Sequence, residues 1–176
     1  MKVAGLDASS GLEYVGIVIG ESSALRAAYR RLKARYWRIH CKRLPSSLNR
    51  RLVEGLLREG VVCVCLFTRI NRVVKEASEK LLRRGVRTPR RAIKLRVERA
   101  LGRYIAGLLL ERSVERVYAD IELIPVLEQA GIVAASGYAS ELADPVAWAN
   151  YRRLGVGGIE DRDIGEHLLR AVLRRL

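Results

Sequence analysis

Residues 2–19, KVAGLDASSGLEYVGIVI, read as two apolar strands joined by a turn. Residues 2–7 are a short apolar strand, Ala8-Ser9-Ser10-Gly11 is turn chemistry, and residues 14–19 return as the second strand. The first strand closes on an aspartate, Asp7. Beyond this hairpin, residues 24–33 suit a helix or a basic loop, and 36–41 (YWRIHC) alternate aromatic and basic residues as a third strand would. Ser46 or Ser47 is placed to cap a helix running through Arg58, ended by Glu59-Gly60. Residues 61–67 (VVCVCLF) are continuously apolar, as in a central strand covered on both faces.

Residues 70–112 then read as a helical insert. Its first part, 71–83, carries Val73, Val74, Ala77, Leu81 and Leu82, and Gly85 interrupts it. Thr88-Pro89 forms an N-cap and N1 pair for a second helix. On that helix Ile93, Val97, Leu101, Tyr104 and Leu108 fall within an arc of roughly 80°, with Arg96, Arg99 and Arg103 opposite. Residues 114–121 (VERVYADI) and 132–135 are further strands, with a short helix through 127–130 between them. Residues 140–153 and 163–176 are helical. Strands first, then strand–helix alternation, indicate one α/β domain over 1–176 with a mixed sheet.

The chain of 176 residues holds 33 Lys and Arg against 19 Asp and Glu, a formal charge of +14. That surplus makes a polyanion, nucleic acid first, the expected partner. No run of roughly 18 uncharged apolar residues is present, which rules out a transmembrane helix and leaves no membrane partner expected. The opening MKVAGLDASSG lacks signal-peptide character, so the expected location is cytoplasmic. Few Asn, Gln and Met beside abundant Arg suit a thermophilic source. Cys41, Cys63 and Cys65 lack CxxC spacing; Cys63 and Cys65 share one strand face and read as small buried apolar residues.

In so basic a chain the acids are informative. Asp7, Asp120 in VYADIEL and Asp144 in SELADPVAWAN each stand among apolar residues. Converging carboxylates repel one another unless cations lie among them, and oxygen ligands favour Mg²⁺ or Mn²⁺. Two such ions clamp the attacking and leaving oxygens of a phosphodiester. Each acid also has a plain structural reading: an Asx turn to Ser9, a solvent-facing strand end, a helix cap.

The order of elements, with LDASSG at the start and SELADPVAWANYRR late, resembles the ribonuclease H-like superfamily. That superfamily includes type 2 ribonucleases H, Holliday-junction resolvases and transposases. The resemblance implies a mixed five-stranded sheet flanked by helices, two divalent metals (Mg²⁺ or Mn²⁺) and nucleic-acid cleavage. It places metal ligands at Asp7, Asp120 and Asp144, with Glu141, three residues before Asp144, as a paired late acid. Resolvase-like chemistry favours a homodimer. Two features depart from the pattern. Asp7-Ala8 replaces the Asp-Glu of the type 2 enzymes, and Pro145 follows Asp144, which would start the helix there with Asp144 as its cap. A fourth acid does not stand out; Glu13, Glu122 and Asp161 are candidates.

Two basic segments are placed to hold a nucleic-acid strand. In the first, Arg30, Arg31, Lys33, Arg35 and Arg38 interleave with Tyr29, Tyr36 and Trp37, which suits base stacking and phosphate contact. The second presents Arg96, Arg99 and Arg103. The expectation is therefore a two-metal nuclease for DNA or RNA, the alternative a catalytically silent nucleic-acid-binding protein. His40, His167 and the GVGG of 155–158 read as structural, and Asp161 and Asp163 as caps of the last helix.

Overall fold

A computed structural model describes residues 1–9, 11–36 and 44–174. The hairpin is present as β1 (Lys2–Ser9) and β2 (Tyr14–Glu21), antiparallel, with Asp7 opposite Gly16. Pairing continues to Ser9 opposite Tyr14, so the reversal falls later than expected, at Gly11 (φ 64°) and Leu12 (φ 71°). Asp7 is consequently inside a strand and does not end it.

β3 (Val62–Phe67) pairs antiparallel with β2. β4 (Arg116–Ala119) lies parallel to β1, and β5 (Ala134–Ala135) parallel to β4. A sixth strand, β6 (Glu160–Asp163), lies parallel to β3 and completes the order β5-β4-β1-β2-β3-β6. This corrects the five-stranded expectation. The EDRD sequence of β6 has no apolar alternation to announce a strand; it is strand because its backbone finds the open edge of β3. The strand expected at 36–41 lies outside the described residues, apart from Tyr36, which ends a helix.

Seven helices flank the sheet among the described residues. The helices α1 (Ser22–Tyr36), α2 (Ser46–Arg58) and α6 (Tyr138–Tyr151) cover one face. On the other lie α3 (Ile70–Arg83), α4 (Arg90–Glu111), α5 (Ile124–Glu128) and α7 (Gly165–Leu173). Strand alternation divides the core between them: Val64 and Leu66 of β3 join the α3–α4–α7 layer, while Cys63 and Cys65 join the α2–α6 layer. The helical insert is thus α3 and α4, separated at Gly85 (φ 75°). Pro89 itself occupies the N-cap position of α4, one place beyond the expected Thr88. No helix among the described residues is long and apolar enough to cross a membrane.

One helix boundary is overturned. α6 begins at Tyr138 and runs through Pro145, so Asp144 lies in its second turn and is not a cap. Pro145 has no N–H to give the carbonyl of Glu141. Burial of Leu142, Ala143, Val146 and Ala147 holds the helix together across that gap.

Candidate carboxylate site

Leu6 and Ala8 pack into the α3–α4–α7 layer, which turns Asp7 between them toward α6. Two glycines bring α6 down onto the sheet. A Cβ on Gly16 would stand 2.4 Å from the carbonyl oxygen of Ala143 and 2.6 Å from the nitrogen of Ala147. A Cβ on Gly5 would lie 1.8 Å from the carbonyl oxygen of Ala139. The helix backbone therefore rests on strand backbone, and Asp144, only 5% exposed, hydrogen-bonds with the Asp7 carboxyl.

Asp120 arrives from the adjacent strand. Leu6 is level with Ala119 in the parallel ladder, and the Asp120 N–H donates to the Leu6 carbonyl at 2.9 Å, one step further. Asp120 thus follows the carboxyl end of β4, beside Asp7. Its Oδ1 accepts the Ile121 N–H at 2.7 Å, and its carbonyl accepts the Leu123 N–H at 2.9 Å to open the turn into α5.

The electrostatics record the crowding. Burial, then the charges of Asp144 and Asp120, then the hydrogen bond with Asp144 hold the Asp7 carboxyl well above the usual carboxylate range; the Ala8 N–H opposes this only in part. No side-chain cation is among these main influences. A site of this kind takes a proton, or positive charge from outside, to settle its own repulsion. The donor set is all carboxylate oxygen, which suits Mg²⁺ or Mn²⁺ in its chemistry. Among the described residues no three His, Cys, Asp or Glu side chains are grouped so that they could hold a metal ion.

Glu141 is not brought into this group. Its Oε1 accepts the Tyr29 hydroxyl at 3.0 Å and its Oε2 lies 3.8 Å from Lys33 Nζ, so it ties α6 to α1. Of the other acids, Asp161 accepts Asn150 Nδ2 and Asp163 pairs with Arg69 at 2.7 Å. Asp163 Oδ1 also accepts the Gly165 N–H at 3.2 Å, but the N-cap of α7 is Ile164, and Asp161 and Asp163 both belong to β6, which corrects their reading as caps. Glu13 Oε2 is buried without a hydrogen-bond partner beside the hairpin turn. Ser9, read in the sequence as turn chemistry only, lies on the same strand face as Asp7, is 4% exposed, and its Oγ has no partner.

The two basic segments fall on opposite faces of the sheet. α1, with Arg30, Arg31, Lys33 and Arg35, belongs to the α6 layer. Arg30 and Arg35 are exposed, Arg31 pairs with Glu59, and Lys33 donates to the Tyr29 hydroxyl. Trp37 and Arg38 lie outside the described residues. Arg96, Arg99 and Arg103 border a cavity between α4 and α7, across the sheet. Compared with protein-family profiles, curated proteins and solved structures, the chain has no significant match.

Proposed function

We propose that the chain is a divalent-metal-dependent nuclease of ribonuclease H-like fold, hydrolysing phosphodiester bonds of DNA or RNA. The observation that carries this reading is the approach of Asp144 and Asp120 to a half-buried Asp7, brought together from α6, the end of β4 and β1. Helix α6 is seated on glycines, which makes that approach a built feature and not a surface accident. Placement at the carboxyl ends of the parallel strands β1 and β4 supports it, since ligands of open α/β sheets bind there.

In this reading Asp7 is the central ligand and Asp120 and Asp144 flank it. Two Mg²⁺ or Mn²⁺ ions, when bound, supply the charge that activates water and stabilises the leaving oxygen. Asp7, Asp120 and Asp144 would hold that charge, and α1 on the same layer exposes Arg30 toward solvent for phosphate contact. The test is cleavage of end-labelled single- and double-stranded DNA and RNA with Mn²⁺ or Mg²⁺, comparing wild type with Asp7→Asn and Asp144→Asn. Cleavage by wild type, reduced at least 100-fold in both variants, is the expected result. Equal cleavage by all three, or none by wild type on any substrate, removes the enzyme.

The second reading, a silent nucleic-acid-binding protein of the same fold, is favoured by the open arrangement of the acids, which form no ready shell among the described residues. Salt-sensitive binding of all substrates with no cleavage would select it.

A further inference from the structure

On the face of the sheet away from the three aspartates, α4 and α7 enclose a cavity of about 400 Å³. Among the described residues its lining holds four guanidinium groups, from Arg96, Arg99, Arg103 and Arg174, together with His167, and no Asp or Glu. Arg96 Nη1 is shielded from solvent and has no hydrogen-bond partner. A buried guanidinium N–H left unpaired is costly, so native structures seldom keep one without a purpose. Arg99 is braced by Gln129, Nε to Oε1 at 3.3 Å, and the His167 ring is fixed edge-on to Tyr104 with centroids 5.1 Å apart. The wall is therefore partly organised before anything enters.

We propose that this cavity is a binding pocket for the phosphate ester of a nucleotide. Four guanidinia, with no Asp or Glu among the described lining residues, suit a ligand of more than one negative charge. The planar fork of arginine matches phosphate oxygens in pairs. The volume exceeds that of a phosphate group and falls within the range of small-molecule sites, roughly 300–1,000 Å³. Ala100 and Val172 provide an apolar floor for a ribose or base, and the imidazole of His167 a flat flank. The phosphate is either that of a free nucleotide or the terminal phosphate of a nucleic-acid strand. This inference does not depend on cleavage at the aspartates.

The experiment is calorimetric titration of the metal-free full chain with inorganic phosphate, adenosine 5′-monophosphate and adenosine, repeated with Arg96→Gln and Arg103→Gln. Circular dichroism of each variant without ligand reports the fold, and the exposed Arg103 keeps the test valid if the Arg96 change unfolds the chain. Binding of the monophosphate but not of adenosine, weakened at least tenfold in each folded variant, is the expected result. A parallel titration compares 5′-phosphorylated and 5′-hydroxyl single-stranded oligonucleotides. Tighter binding of the phosphorylated strand, lost in the variants, identifies a strand end as the ligand. Equal binding of the two strands, with the monophosphate still bound, identifies a free nucleotide. No binding of phosphate or monophosphate at 10 mM, or equal binding by wild type and both variants, overturns the pocket.

Discussion

Asp7 carries a cost that the fold accepts. Its carboxyl is held above the ordinary range, near 4 for aspartate, chiefly by burial and by its two acidic neighbours. In the folded chain the proton is retained at pH values where the unfolded chain has lost it. Stability from this group is therefore greatest at low pH and declines as pH rises toward the folded value. Without divalent metal, the melting temperature should fall between pH 5 and pH 8, and Asp7→Asn should flatten that decline. At pH 7 the variant should melt about 5 °C above wild type, corresponding to about 2 kcal/mol. Added Mn²⁺ should raise the wild-type midpoint and move the variant less. Differential scanning calorimetry reads both, and a variant melting below wild type at pH 7 without metal contradicts the account. The thiols of Cys63 and Cys65, each 1% exposed, are pushed up to about 12 by burial. Alkylation at pH 8 followed by peptide mass spectrometry should leave both unmodified until the chain is unfolded. These residue-scale features were the readable ones. The aspartates and cysteines declared themselves by standing among apolar neighbours, whereas Ser9 did not, because serine beside glycine reads as a turn until the ladder is seen to continue.

At the scale of an element, α6 decides whether the site exists. Its seat is the pair of bare backbone positions Gly5 and Gly16, against which the helix has no room to retreat. Gly16→Val should cost about 3 kcal/mol in urea unfolding, through overpacking against backbone that cannot rotate away. Gly107→Ala is the counter-case: within α4, with nothing in reach of an added Cβ, it should stabilise the chain by about 0.5–1 kcal/mol. A Gly16→Val chain as stable as wild type would show that α6 has slack. Sequence patterns served long helices such as α3 and α4 well, since their apolar stripes are periodic. They placed a helix over 140–153, close to α6, but they read Pro145 as a first-turn residue with Asp144 as the cap, and only burial around it shows that the helix runs straight through. β6 escaped them for a related reason: an all-polar strand is made by the edge it joins.

Across the whole molecule, the chain carries a surplus of 14 positive charges, and among the described residues arginines lie on both layers flanking the sheet, on α1 and on α4. The face that holds the aspartates also holds α1, so the strand near the site should be gripped from there. Arg30→Glu should weaken single-stranded DNA binding severalfold and reduce the slope of log affinity against log salt by about 1. Fluorescence anisotropy at several salt concentrations measures both, and an unchanged slope would move the grip off α1. The α/β class and the helical insert were legible from length, patterning and element order. The division of the basic segments between faces was not, because helix wheels fix the outward side of a helix but not the layer it joins.

The sheet ladder also sets a timetable. β1, β2 and β3 are contiguous in the first 67 residues, but Val3 waits for Arg116 and Val64 for Glu160 before the outer strands can dock. Such distant pairings slow folding, and until they close, both margins of the nascent three-stranded sheet are open to other chains. Asp120 and Asp144 likewise come from late segments. If the three acids meet only once these distant segments have docked, removing their repulsion should slow unfolding more than it speeds folding, which stopped-flow unfolding and refolding of Asp7→Asn would read.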